Sequence, residues 1–199
     1  MTERRASAFH LCLDMQRLFS PHGAWANAWM AGVLPNIAAI CESFAGRTVF
    51  TRFIPAPHPD AEIGTWRGYY RRWSTLTLEE IDADELAIVD ELRPYAARAP
   101  VADKRRFSAF AAPALAPILN GARTGTLVVT GGETDMCVLA TVLEAIDRGY
   151  RVLVVEDAVC SSSDPGHEAA LTIYRSRFAE QLGLVTTREL VEQVAARAL

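Results

Sequence analysis

The sequence contains one lysine, Lys104, against nineteen arginines. Surface positions in this chain evidently accept arginine. A site that keeps lysine therefore needs a compact ammonium on a slim stem, or a proton that can leave. Basic charge is not in surplus: the formal net charge is -4 and the pI is about 5.6. That excludes a nucleic-acid groove, which needs clustered basic side chains to displace counterions. Only four cysteines are present (Cys12, Cys41, Cys137, Cys160), with no CxxC pair and no neighbouring histidine. They form no disulfide framework and match no zinc-site spacing, so each must be read singly as a small apolar group or a nucleophile. His10, His22, His58 and His167 are isolated from one another. Repeats, low-complexity tracts and linkers are lacking, and no apolar run is long enough to span a bilayer. The apolar stretch in Met1–Leu13 is short, interrupted by His10 and closed by Asp14, which does not fit a signal peptide. The expectation is a cytoplasmic protein without a membrane partner.

What remains is ordinary for a globular domain. The 199 residues are half hydrophobic and 22% charged, enough to bury one full core. Short β-branched runs alternate with longer helical stretches, the pattern of βαβ units around a parallel sheet. The candidate strands are Phe9–Leu13, Arg47–Thr51, a weak one at Val101, Leu127–Thr130, Arg151–Val155 and Gly183–Thr186. Helical stretches are expected near 27–45, 79–93, 111–119, 135–148, 165–181 and 187–198. In 135–148 the stripe Leu139, Val142, Leu143 and Ile146 is closed by Gly149. Thr77 and Glu80 fit a capping box for 79–93, whose Glu79–Glu91 part carries seven acidic residues and no basic one. The fold expected over 1–199 is a single three-layer α/β/α domain with a mostly parallel six-stranded sheet. Trp66, Tyr69, Tyr70 and Trp73, with arginines between them, fit core packing, a pocket wall or an oligomer interface.

In an open parallel sheet, ligands bind beyond the carboxyl ends of the strands. Three reactive side chains follow strands there. Asp14 ends the first, Lys104 follows the third, and Cys137 enters the helix after the fourth, in Gly131-Gly132-Glu133-Thr134-Asp135-Met136-Cys137. A free thiol is only about 3% thiolate at pH 7, and a helix N-terminus or an ammonium favours the anion. Thr134 is suited to be the N-cap, which would place Cys137 at the third helical position. Amides in the glycine-rich turn are suited to hold an oxyanion, and Asp14 to exchange a proton with the thiol and a leaving amine. Taken one at a time, a cysteine on an amphipathic helix is more often core, and an Asp at a strand end more often a turn residue.

Together these residues resemble the isochorismatase-like cysteine hydrolases. The likeness lies in Leu13-Asp14-Met15-Gln16, in Lys104 before Arg105-Arg106-Phe107-Ser108-Ala109-Phe110, and in Gly131–Val138, continued by Asp147-Arg148-Gly149-Tyr150 and Glu156-Asp157-Ala158. The resemblance implies an Asp14–Lys104–Cys137 triad and cleavage of a small amide, ureido or carbamoyl C–N bond through a thioester, with release of ammonia. It also implies a non-proline cis peptide at Gly132–Glu133, an oxyanion hole from the Glu133 and Cys137 amides, and a homodimer or homotetramer. No cofactor is implied. Nicotinamidases carry an Asp-x-His pair after the second strand to hold a metal; here that region reads Thr51-Arg52-Phe53-Ile54-Pro55, so no metal is expected. True isochorismatases lack the cysteine. Phe19 and Trp66 are candidate pocket walls, and Arg52 a candidate grip for a substrate carboxylate. The alternatives are a nicotinamidase-type enzyme despite the missing histidines, and a non-catalytic binding or assembly module on the same fold.

Overall fold

Six β-branched segments pair in the computed structural model, which describes residues 7–199: β1 (Ser7–Leu13), β2 (Thr48–Phe53), β3 (Val101–Lys104), β4 (Thr124–Gly132), β5 (Arg151–Cys160) and β6 (Leu182–Val185). All neighbours run parallel in the order β3-β2-β1-β4-β5-β6. The order reverses between β1 and β4, which opens a crevice beyond their carboxyl ends. Seven α-helical segments accompany the sheet: α1 (Met30–Ser43), α2 (Gly64–Arg72), α3 (Arg93–Ala96), α4 (Leu115–Gly121), α5 (Leu139–Asp147), α6 (Asp164–Arg177) and α7 (Thr187–Ala195). Among the described residues, no helix is long and apolar enough to cross a membrane.

The two-residue period of a strand divides the core. Phe9, Leu11 and Leu13 of β1, with Leu127 and Val129 of β4, pack against Leu115 of α4, Val142 of α5 and Leu171 of α6. Ala8 and Cys12, with Val128 and Leu153, face Ile37 and Ile40 of α1 and Leu190 of α7. Buried His10 falls on this second face between two threonines, its ring nitrogens 3.2 Å from Thr48 Oγ1 and 2.8 Å from Thr130 Oγ1. Of the expected α5 stripe, Val142 is fully buried and Leu139 and Ile146 pack against the core, whereas Leu143 is exposed.

Two local expectations are corrected. Residues 79–93 are not a helix with a Thr77–Glu80 capping box. They form turns, a short 3-10 segment (Ala83–Leu86) and an Ile88 bridge antiparallel to Gln16. Seven carboxylates would crowd one helix, whereas the extended path lets Asp84 and Asp90 reach Arg17 at 3.4 and 3.0 Å. Thr77 instead donates its hydroxyl to the Ser74 carbonyl, and the reciprocal box occurs at Thr186 and Glu189 on α7. The second correction is α2, which the sequence reading left as an aromatic stretch without a helix. It buries Tyr70 against Phe53 and Ala56.

Candidate active site

Asp14 leaves β1 with φ +53°, a left-handed conformation uncommon outside glycine. Beside it, Gly131 of β4 has φ +100°, and a Cβ there would fall on the Leu13 carbonyl. The two strand ends can approach this closely only because one partner is glycine. Thr51 at the end of β2 holds the carboxylate, donating to Asp14 Oδ1 at 2.6 Å. The Gln16 side chain clamps the same loop to β2, with Phe53 N–H donating to Oε1 at 2.6 Å and Nε2 donating to the Phe53 carbonyl at 3.1 Å.

Lys104 is the last residue of edge strand β3, two strands away from Asp14 in the sheet. Its stem crosses β2 with Nζ 5.2 Å from the Phe53 ring centre. The ammonium lies 2.6 Å from Asp14 Oδ2, 3.0 Å from the Arg106 carbonyl and 3.3 Å from Cys137 Sγ. Three donors thus meet three partners in a site where Lys104 and Asp14 are each 1% exposed. Burial works against the charged Lys104, but Asp14 and Cys137 outweigh it and hold the pKa above its ordinary value.

Cys137 lies in one turn of π-helix, Thr134–Val138, that leads into α5. The Gly132–Glu133 peptide before it is cis. The expected capping role of Thr134 is corrected: Glu133 stands at the N-cap position, and buried Thr134 pairs its hydroxyl with His167 Nδ1 at 2.9 Å. The Met136 and Val138 amides both donate to the Glu133 carbonyl, while the Cys137 amide between them does not. Thr141 fixes the turn by donating to the Cys137 carbonyl at 2.7 Å and accepting from Ala109 N–H at 2.9 Å, which ties it to the segment after Lys104. Burial pushes the Cys137 thiol up to about 12; Lys104 pulls it down, and the Asp14 carboxylate raises it through its charge and a hydrogen bond. Burial thus opposes the pull toward the anion that the helix N-terminus and the Lys104 ammonium exert on this thiol. Cys12, Cys41 and Cys160 are buried thiols raised by the same desolvation.

A cavity of about 390 Å³ opens onto Cys137. Phe19 lines it, with Trp25, Phe53, Tyr69, Trp73 and Phe107. Trp66 does not; it stands behind the wall, 5.0 Å from the Phe107 ring and 5.2 Å from Tyr69, under the Arg106 guanidinium. Arg52 points elsewhere and grips Asp103, its partner across β2 and β3, with two bonds of 2.8 Å. Its alternation along the strand turns it away from Thr51 and Phe53, so it contributes no charge to the cavity. Among the described residues no three His, Cys, Asp or Glu side chains are grouped to hold a metal ion. Gln16, Thr51, Thr141 and His167 escaped the sequence reading. Each is a common polar residue whose partner lies far along the chain, and only Gln16, adjacent to the Asp14 motif, carried a local signal.

The isochorismatase domain model matches residues 8–186. The maleamate amidohydrolase of Pseudomonas putida is 27% identical over 170 residues, covering 80% of this chain and 76% of that protein. A cysteine hydrolase from Pseudomonas syringae pv. phaseolicola superposes with a TM-score of 0.81 at 19% identity, covering 98% and 99% of the two chains. The N-carbamoylsarcosine amidase of Thermoplasma acidophilum gives 0.73 at 24% identity over 90% and 96%. The matched span takes in Asp14, Lys104 and Cys137, and the chain belongs to the isochorismatase family.

Proposed function

We propose that the chain is a cysteine amidohydrolase that cleaves the C–N bond of a small amide, ureido or carbamoyl compound and releases ammonia. The observation that carries this reading is the buried Lys104 ammonium joining Asp14 to Cys137, which lines an aromatic-walled cavity. Maleamate amidohydrolase and N-carbamoylsarcosine amidase among the relatives support the reaction class.

In this mechanism Cys137 Sγ attacks the substrate carbonyl carbon while Asp14 takes the thiol proton. Lys104 remains charged and keeps the carboxylate oriented. The oxygen of the tetrahedral adduct is held by the Glu133 and Cys137 amides. As the adduct collapses, the C–N bond breaks and Asp14 gives its proton to the departing nitrogen, so ammonia leaves and a thioester remains. A water then attacks the thioester and passes a proton to Asp14. The C–S bond breaks, the acid departs, and the proton returns to Cys137. No step calls for a cofactor. The raised thiol pKa fits proton removal in concert with attack, because burial, its largest cause, disfavours a thiolate formed beforehand.

The test is ammonia release across primary amides, nicotinamide, ureas and carbamoyl acids, with Cys137→Ala alongside. Release by the wild type that vanishes in the variant is the expected result. A panel without turnover, or turnover that survives in Cys137→Ala, would overturn the reading.

A further inference from the structure

The charge on the cavity wall is of one sign. Of the twelve lining residues six are aromatic, two are the carboxylates Glu133 and Asp135, and none is basic. Neither carboxylate has an arginine, lysine or histidine ion-pair partner among the described residues. Glu133 accepts only the Ser162 N–H at 3.0 Å, and Asp135 the Ser161 hydroxyl at 2.6 Å. The single lysine, Lys104, is already saturated, with Nζ held by Asp14, the Arg106 carbonyl and Cys137. Of the arginines next to the site, Arg106 pairs with buried Glu62 at 2.8 Å and lies over Trp66, Arg52 is bound to Asp103, and Arg72 lies over the Trp73 ring; none of them lines the cavity. Tyr69, which also lines the cavity, has a raised hydroxyl pKa, chiefly through burial but also through Tyr70, Cys137 and Glu133. A substrate carboxylate entering here would meet Glu133 and Asp135 on the wall and no basic lining residue.

Aromatic faces present negative potential and attract a cation that has shed part of its water. Trp25 is central to the arrangement, with ring centres 5.7 Å from Trp73, 6.0 Å from Tyr69 and 6.1 Å from Phe19 and Phe53. From this wall we infer that the site selects an acyl group bearing a positive charge, an ammonium or alkylated ammonium, over a neutral one of equal shape, and rejects an anionic one. The inference rests on the amidohydrolase reading for the placement of the scissile bond, and it corrects the expectation that Arg52 would grip a carboxylate. The rings enclose the cationic head while Glu133 and Asp135 supply its counter-charge.

Two matched pairs of amides test it. Trimethylammonioacetamide and 3,3-dimethylbutanamide share one shape and differ by a positive charge; succinamate and 4-oxopentanamide differ by a negative one. Binding is read from the fluorescence of Trp25 and Trp73 in the Cys137→Ala protein, so turnover is not required. The expected result is about tenfold tighter binding of the cation than of its neutral partner, and about tenfold weaker binding of the anion than of its own. Glu133→Gln should narrow the first ratio to about threefold. Succinamate binding as well as 4-oxopentanamide, equal binding of the first pair, a first ratio that Glu133→Gln leaves unmoved, or no binding at all would overturn the inference. The expected binding order with no ammonia released by the wild-type protein from any of the four would instead count against the amidohydrolase reading and leave the selectivity standing.

Discussion

At the scale of single residues the site depends on how three ionisable groups share one buried pocket. Asp14 raises the Cys137 thiol by its charge and by its hydrogen bond, while Lys104 lowers it. Replacing Asp14 with Asn should therefore separate two properties that usually move together. The proton acceptor is lost, so kcat/KM for an amide substrate should fall about 10²- to 10⁴-fold. The thiol pKa should fall too, so iodoacetamide should label Cys137 faster at pH 8 than in the wild type. Mass spectrometry of the labelled peptide checks this, and slower labelling would contradict the assigned roles. Lys104 can be tested through stability. Lys104→Met leaves Asp14 charged and unpaired in the interior, which should cost about 3–5 kcal/mol in urea unfolding. Lys104→Arg should not restore activity, because a planar guanidinium cannot place its donors on Asp14, Cys137 and the Arg106 carbonyl at once.

At the scale of elements, the strand ends do the positioning. At the carboxyl ends of β1 and β4, Asp14 and Gly131 both take positive φ, and Gly131 lies against the Leu13 backbone. Gly131→Ala would strain that conformation and drive a methyl into the Leu13 backbone. Loss of activity together with at least about 2 kcal/mol of stability is expected, measured by urea unfolding with ammonia release in parallel. The segment 79–92 shows why an element can be misread from its pattern. Its acids suit a solvated helix face, yet Arg17, 62 residues before Glu79, decides the outcome by pairing with Asp84 and Asp90. That pairing holds the segment against the 3-10 turn Arg17–Phe19, which carries Phe19 to the cavity.

For the whole molecule, stability toward acid should carry the mark of His10. Burial lowers its pKa from the ordinary 6.5 to about 3, so the native ring stays neutral where the unfolded one is protonated. Below pH 6.5 the unfolded chain binds the extra proton, and stability falls as pH falls, until about pH 3 where the native ring titrates too. Its share is about 1.4 kcal/mol per pH unit, or about 2 kcal/mol lost by pH 5. Urea unfolding of the wild type and His10→Gln at pH 7 and pH 5 should show a shallower dependence in the variant. Parallel slopes would mean that His10 does not contribute.

The parallel six-stranded sheet, the triad candidates and the Gly132–Glu133 turn were legible in the sequence, because each depends on local pattern: β-branched runs, residues directly after strands, and a contiguous motif from Gly131 to Val138. The single lysine among nineteen arginines was a compositional signal, and it fell on the one ammonium that bridges Asp14 and Cys137. Tertiary structure alone decided what depends on contacts between distant residues. It sent Arg52 to Asp103, set Trp66 behind the wall, and brought Thr51 and Gln16 to the Asp14 loop. It also set the direction in which the Cys137 thiol is shifted, since burial raises it against the pull of the ammonium. The sign of charge in the cavity was decided in the same way, by which side chains the fold turns into it: Glu133 and Asp135 line it and no basic residue does.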